Sequence, residues 1–459
     1  MMHRSLDASP QSGCGMWRII ARRRCFLAVA LAGVVTAAAF GAEVVPEPEP
    51  VPPPAAALTL DQAIERCLCH DPKLRAGMES VNQARADTLT ASLPPNPSVN
   101  VSGNLLPLSR PYTVEEPGGP PEVDVALSYS VDWFVFGKRA AAVAAATQGI
   151  CVSEAEYADL VRQRVTETAL AFFDVLEAQA LLELARQDQE NLERVEVVTR
   201  KAVDNGGRPK VELNRVRLEM VGRRRTSRDA QTALITAKAR LRALLGCDPG
   251  AGDFDVEGKL DAPLASEPVP FDEAYGMAME NRPDIVALRR KVGRARADVV
   301  VERRNALPEL TPEFVLARQY QESIGSPDVS AWGIGLDVTV PLFNRNQGNR
   351  SKAVSVVCQT NYELQTGLLE LRSEIEQVVA TLQTARQNAT SVAEEELALA
   401  AQVRDAIGKA YEAGGRPLID VLDAQRNFRE TYRIYISSRA EYWRAVHRYN
   451  SAVGKQVVR

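Results

Sequence analysis

The sequence predicts a mainly α-helical protein with a small transmembrane β-barrel portion, made of duplicated helix-strand-strand-long helical hairpin units. Three observations carry this reading. The chain repeats itself, each repeat holds two segments of strict apolar–polar alternation, and each then enters a proline-free stretch long enough for a rod. Lys201-Ala202-Val203-Asp204-Asn205-Gly206-Gly207-Arg208-Pro209 returns as Lys409-Ala410-Tyr411-Glu412-Ala413-Gly414-Gly415-Arg416-Pro417. Asp61-Gln62-Ala63 matches Asp272-Glu273-Ala274, and Ala84-Arg85-Ala86-Asp87 matches Ala295-Arg296-Ala297-Asp298. Leu245-Gly246 lies opposite Val453-Gly454. A register held over this length means two tandem copies of one structural unit, and so internal pseudo-symmetry.

Before the repeats, residues 1–41 read as a signal peptide. Arg18 and Arg22 to Arg24 precede the apolar run Cys25 to Phe40, which ends in small residues. This is the order of a cleavable export signal, and about 16 apolar residues fall short of the roughly 20 that span a bilayer. Residues 42–57, with Pro46-Glu47-Pro48-Glu49-Pro50 and Pro52-Pro53-Pro54, read as a stiff linker. The whole chain has a formal charge of −4. Loss of the signal, which holds five Arg and one Asp, makes the mature chain more acidic still. That balance argues against a nucleic-acid partner. Seven Cys in 459 residues, two of them in the signal region, do not make a disulfide framework.

The first structural repeat spans 58–246 and the second 270–454. In the first, Leu58 to Leu93 reads as helix until Pro94-Pro95-Asn96-Pro97 stops it, with an early interruption at Pro72. Strands follow at about 99–106 and 123–134. Val99, Val101, Gly103 and Leu105 form one face of the first. Val123, Val125, Leu127, Tyr129, Val131 and Trp133 form one face of the second. The second repeat places strands at about 313–320 and 331–341, with Phe314, Leu316 and Tyr320, then Trp332, Ile334, Leu336, Val338 and Val340. An ordinary half-buried hairpin on a soluble domain is the plain alternative. Strands of about ten residues that alternate and carry Tyr or Trp instead have the outer-membrane pattern. Four strands cannot close a barrel around a lumen, and lipid does not tolerate open edges. Several chains must then contribute, and of eight or twelve strands only twelve leave a channel.

The long helical hairpins fall at about 138–245 and 349–453. Between Lys138 and Asp204 there is no Pro and Gly149 is the only Gly. Roughly 65 residues at 1.5 Å each span about 100 Å. Val161, Val165, Ala169, Phe173, Leu176, Ala180 and Leu184 recur as helix-to-helix packing requires. Each long helix ends at a tip turn, Gly206-Gly207-Arg208-Pro209 or Gly414-Gly415-Arg416-Pro417, where Gly supplies a left-handed cap and Pro opens the returning helix.

Cys67, Cys69 and His70 invite a metal site, but positions two apart lie on different sides of a helix and no second cluster completes the set. No metal site and no cofactor is expected. No phosphate loop, dinucleotide fingerprint, zinc-protease helix or nucleophile elbow occurs, so the chain does not read as an enzyme. Energy for any transport must come from a partner.

Phe136-Gly137-Lys138-Arg139, Pro341-Leu342-Phe343-Asn344-Arg345-Asn346-Gln347-Gly348-Asn349-Arg350 and Gly414 to Gln425 resemble the TolC family of outer-membrane efflux factors. The likeness runs over residues 58–454 and is greatest to the outer-membrane component of heavy-metal RND efflux systems. It implies a homotrimer with a twelve-stranded barrel in outer-membrane lipid and a periplasmic α-helical tunnel. It also implies two partners, a periplasmic adaptor and an inner-membrane pump. The resemblance assigns a periplasmic gate to Glu212, Tyr411, Arg416, Asp420, Asp423 and Arg439. The implied function is a passive exit duct for heavy-metal cations or small toxic compounds. A duct for multidrug efflux or type I protein secretion is the alternative within transport, and a periplasmic coiled-coil scaffold is the alternative outside it.

Overall fold

The computed structural model describes residues 57–458 except 109, 111, 117, 248–251, 265, 266, 392 and 393. The expected signal peptide, and the linker up to its last residue, lie outside the described residues. The first repeat opens with α1 (Leu60–His70), started by Thr59, whose hydroxyl accepts from the Gln62 amide in a reciprocal capping box. Asp71 ends α1 and caps α2 (Pro72–Ser92) by accepting from the Lys73 amide, with Pro72 in the first helical position. Strands β1 (Ser98–Asn104) and β2 (Glu122–Ser128) follow. The hairpin is α3 (Lys138–Asp204) and α4 (Lys210–Leu244). The second repeat runs α5 (Phe271–Asn281), α6 (Pro283–Asn305), β3 (Glu309–Gln319), β4 (Val329–Thr339), α7 (Gln347–Ser391), α8 (Glu394–Glu412) and α9 (Leu418–Val453). The rod predicted from 349 to 412 is thus described as two helical segments on either side of 392–393.

The four strands form one antiparallel sheet in the order β1-β2-β3-β4. Residues paired across strands share a face. Val101 pairs with Val125, Val125 with Leu316, and Leu316 with Trp332. Val99, Leu127, Phe314 and Ile334 form a second such row. One face is therefore apolar across all four strands, and it is exposed, Ile334 to 77 %.

The predicted strand 123–134 runs too long. Ladder bonds continue past Ser128, from the Tyr129 amide to the Pro312 carbonyl and from the Val131 amide to the Leu310 carbonyl. The backbone then leaves extended geometry at Val131 (φ −120°, ψ −4°) and makes a helical turn over Asp132–Val135. Trp133 turns back, its indole donating to the Ser130 carbonyl at 2.9 Å, so the apparent alternation through Trp133 is a corner. Asp132 holds the corner through an ion pair to Lys138 at 2.6 Å, and Gly137 (φ +64°) opens α3.

The second repeat turns the same corner with Asn346 (φ +55°), a residue that tolerates left-handed geometry because its short amide bonds locally. Its side-chain amide donates to the Glu302 carboxylate at 2.6 Å and its oxygen accepts from Asn349 at 2.7 Å. Asn344 accepts from the Asn346 amide and Gln347 from the Arg345 amide. The polar Pro341 motif is a self-capping corner.

At each height four helices lie side by side. Near the sheet the order is α2, α3, α6, α7, and toward the tip it is α4, α3, α9, α8. The short helices therefore prolong the returning ones, α2 stacking on α4 and α6 on α9. Glycine makes the stacking possible. A Cβ on Gly246 (φ +65°) would stand 2.3 Å from the His70 carbonyl oxygen, and one on Gly454 (φ +74°) 3.1 Å from the Arg282 amide.

Both stacking points hold a buried charge in an ion pair, with the charges reversed between repeats. Position 71 is Asp, 1 % exposed, and receives Arg164 of α3, itself 7 % exposed and also bonded to Glu167. The equivalent position 282 is Arg, 5 % exposed, and reaches Glu374 of α7 and Asp284, each at 2.6 Å. Burial pushes both guanidinium pKa values down, but their carboxylate partners override it and the net shifts are upward. Burial likewise pushes the Asp284 carboxyl up, and Arg282 outweighs it to leave it below its ordinary value.

Each repeat has its own core beside its stacking point. Phe172, Val175, Leu241, Leu245 and Phe254 fill the first, and Ile285, Leu371, Ile375, Tyr442 and Tyr449 the second. Removing one partner of a buried pair strands a charge, at about 3–5 kcal/mol. Asp71→Ala should therefore lower the thermal unfolding temperature in detergent, followed by circular dichroism, whereas Asp71→Leu with Arg164→Met should recover most of the loss. Asp284, depressed in the folded state, stabilises fully at neutral pH and loses that contribution as pH falls through its folded-state pKa. Wild-type unfolding temperature should fall on acidification more than that of Asp284→Asn.

Candidate functional site

The tip turns of the two hairpins share backbone geometry. Gly206 and Gly414 adopt φ of +74° and +79°. The Gly207 amide donates to the Ala202 carbonyl at 2.9 Å, and the Gly415 amide to Ala410 at 2.8 Å. Pro209 and Pro417 then start α4 and α9. No side-chain atom lies within 4 Å of a Cβ built on Gly206 or Gly414, so the left-handed backbone alone asks for glycine there.

The two arginines of these turns behave differently. The Arg208 guanidinium lies 4.0 Å from the centre of the Tyr411 ring. It pairs with Glu212 at 3.0 Å and donates to the Tyr411 and Arg416 carbonyls at 3.5 and 3.2 Å. Arg208 thus ties the first tip to the second within one chain. Arg416, its repeat equivalent, is 61 % exposed and among the described residues pairs only with Asp420 in the first turn of α9, at 3.3 Å. Asp423 pairs with Arg426 at 3.7 Å, also within α9.

Tyr411 is buried, 3 % exposed, in a small core of Leu192, Val216, Leu418, Val421 and Leu422. Its hydroxyl lies 2.7 Å from the Thr199 oxygen, and Thr199 donates its own proton to the Val195 carbonyl. A hydroxyl has one proton to give, so Tyr411 is the donor. Higher up, Glu196 accepts from Arg200 and from Arg217 of α4, and Arg200 above all holds its carboxyl below the ordinary range. Asp188 binds Arg223 of α4 at 3.0 Å and Arg429 of α9 at 3.1 Å.

Glu212, Tyr411, Arg416 and Asp420 are thus brought to one tip, with Asp423 one turn further along α9. Arg439 is not brought there. It lies 22 residues beyond Pro417, about 33 Å along α9, with its guanidinium over the Tyr435 ring. Sequence reasoning missed Arg208 as a contact between hairpins, together with Thr199, Glu196 and Asp188. The two Gly-Gly-Arg-Pro turns read alike, and nothing local distinguishes the arginine that folds inward. Cys67 points into the core beside Asp71, Cys69 is exposed, and His70 lies against the Arg66 carbonyl. Among the described residues no group of three or more His, Cys, Asp or Glu could hold a metal ion. No described helix is long and apolar enough to cross a membrane.

These features have counterparts in known proteins. The cobalt-zinc-cadmium resistance protein CzcC of Cupriavidus metallidurans is 26 % identical over 401 residues, covering 87 % of this chain and 90 % of that protein. Protein CyaE of Bordetella pertussis is 28 % identical over 344 residues, covering 70 % of each. The solved outer-membrane channel OprN superposes with a TM-score of 0.71 at 18 % identity, over 86 % of this chain and 89 % of that one. The family model described as outer membrane efflux protein matches residues 63–247 and 274–455, the two repeats in turn. With both repeats matched, an apolar sheet face laid open and a helical rod beneath it, the chain belongs to the outer membrane efflux protein family, whose members are ducts rather than enzymes.

Proposed function

We propose that three copies of the chain close into one twelve-stranded barrel continued by a twelve-helix tunnel. This tube is the passive exit duct through which a periplasmic adaptor and an inner-membrane pump discharge heavy-metal cations. The observation that carries the reading is that sheet and helical layer are open at both edges. Strands β1 and β4 each have one paired neighbour, and α2/α4 and α7/α8 each border one neighbouring column. Open strand edges and a bare apolar sheet face have no stable place in water. Lipid accepts the face, and a closed ring of copies removes the edges. Head-to-tail packing of unlike edges gives such rings.

The heavy-metal reading is supported by the likeness to CzcC and by the Pro341 motif. Asp420 and Asp423, accessible at the tip, favour cations near the mouth without the several converging ligands that would retain them. Deleting the gene should sensitise cells to cobalt, zinc or cadmium salts, with resistance restored by the intact gene. Sensitisation confined to organic drugs would move the cargo to multidrug efflux.

The tip acts as the gate. Arg208 holds the two hairpins together inside each chain, while Arg416, Asp420 and Asp423 remain available to neighbouring copies. Exposed links are worth about 1 kcal/mol each, and a cation over an aromatic ring up to about 2, a scale that a docking partner can overcome. In planar bilayers Arg208→Ala should raise single-channel conductance, and by more than Arg416→Ala does. Unchanged conductance in both variants would remove the gate while leaving the duct intact.

A further inference from the structure

The two ends of the four-stranded sheet differ in charge. On the side facing the rod, where β1 and β3 begin and β2 and β4 end, lie residues 89–98, 132–139, 302–309 and 339–352. They hold seven Lys or Arg against three Asp or Glu, in a chain that is acidic as a whole. The far end, 105–124 and 318–328, holds six Asp or Glu against two Arg. The apolar sheet face thus runs between a basic rim and an acidic one.

The basic rim is not neutralised from within. Arg303 and Arg304 end α6, Arg350 and Lys352 lie in the first turns of α7, and all four are exposed. Arg139 lies 5.3 Å from the centre of the Trp133 ring, while Arg304 donates to the Phe136 carbonyl and Arg345 to the Leu342 carbonyl. Among the described residues none of these six cations forms an ion pair. The carboxylates of the rim are engaged elsewhere, Asp132 by Lys138 and Glu302 by Asn346. Glu309 stands opposite Thr339, on the other face of the sheet from Leu310 and Val338.

Exposed apolar side chains share this level. Phe134 and Phe343, the latter 93 % exposed, each sit in a corner that joins a strand to its long helix. Leu93 is exposed just past the end of α2. Phe134 packs edge-on against Trp133 at 5.8 Å, so ring, indole and the Arg139 guanidinium form one connected group. Aromatic rings beside cations suit the boundary between acyl chains and headgroups.

We infer that this rim is a binding surface for the phosphates of anionic phospholipid in the periplasmic leaflet of the outer membrane. Phe134 and Phe343 lie among the acyl chains, and Arg139, Arg303, Arg304 and Arg350 take the headgroups. The inference rests on the placement of the apolar face in lipid proposed above and adds which lipid meets its rod-side rim. Arginine forks match phosphate oxygens in bidentate pairs. A zwitterionic headgroup would bring its ammonium beside six cations, whereas a headgroup of net negative charge neutralises them. A soluble anion would satisfy the arginines and leave the phenylalanines in water, so the adjoining apolar surface selects a lipid.

The test uses the full-length protein reconstituted in vesicles of phosphatidylethanolamine and phosphatidylglycerol. A photoreactive benzoylphenylalanine replaces Phe134 in one sample and Ile334, within the apolar face, in another. Irradiation should attach phospholipid at both positions. Lipid on 334 with none on 134 would overturn the rim and leave the sheet in the membrane. Lipid on neither would overturn the membrane placement, and the rim with it. Headgroup preference is read by native mass spectrometry in detergent, with each lipid added in turn. The wild type should hold phosphatidylglycerol more tightly than phosphatidylethanolamine. Arg303→Gln with Arg304→Gln should weaken phosphatidylglycerol binding by about fivefold per arginine at low salt. The same variant should bind phosphatidylethanolamine as before, which reports an intact fold. Arg303→Lys with Arg304→Lys should keep most of the preference. Equal affinity for both lipids in the wild type, or a preference untouched by the glutamines, would overturn the recognition of anionic phospholipid. Complete displacement of phosphatidylglycerol by inorganic phosphate would identify a free-anion site and overturn the lipid reading.

Discussion

The places where short helices stack on long ones govern this molecule. Each returning hairpin helix ends in a glycine, and a second helix begins on top of it from an interrupted start, so a broken column does the work of a continuous one. The join needs close backbone approach, met by Gly246 and Gly454, and an anchor to the neighbouring long helix. Asp71 with Arg164 supplies that anchor in one repeat and Arg282 with Glu374 in the other. Their reversed polarity makes the repeats non-interchangeable. Docking Asp71 on α7 would leave it without its arginine, and docking Arg282 on α3 would bring it toward Arg164. Buried charge is poor cement, since desolvation offsets much of the attraction, but a mismatched buried charge is severely penalised. The pairs therefore define which helix sits where.

From that register the rest of the architecture follows. The columns stand in the order α2/α4, α3, α6/α9, α7/α8, and the corners at Gly137 and Asn346 deliver the chain into a sheet whose large apolar residues mostly point one way. Sheet and rod are each half-finished objects, with edges that want neighbours and a face that wants lipid. In the closed tube proposed for this chain, closure would pair the edge strands and cover the outer helices at once.

Pseudo-symmetry breaks down at the tips. Both tips use the same glycine cap and proline start, yet Arg208 is folded over Tyr411 and Arg416 is left in solvent. The difference arises because the buried ring comes from the second repeat only. At the position of Tyr411 the first repeat has Val203, which offers no π-face and no hydroxyl for a threonine. One hairpin thus holds the other within a chain, while the charges of the second turn pair only with near neighbours in sequence among the described residues.

Local chemistry made much of this legible in the sequence alone. The duplication, the period-two strands, the proline-free rods and the Gly-Gly-Arg-Pro turns depend on backbone propensity and side-chain period, which neighbours in sequence dictate. The sequence also raises the expectation that the strands belong to a barrel shared by several chains, since four strands of that length enclose nothing. What it could not determine depended on residues far apart along the chain. The strand read through Trp133 is a corner, because Asp132 meets Lys138 and Trp133 folds back on Ser130. Arg439 belongs with Tyr435 well above the tip, because α9 is one unbroken rod and distance along it is fixed at 1.5 Å per residue. Nothing local explains the opposite charges at 71 and 282, because their partners Arg164 and Glu374 stand 93 and 92 residues away in sequence. Period and propensity are local properties and survive in one dimension, whereas the partner of a buried charge is chosen by packing and exists only once the helices are laid side by side.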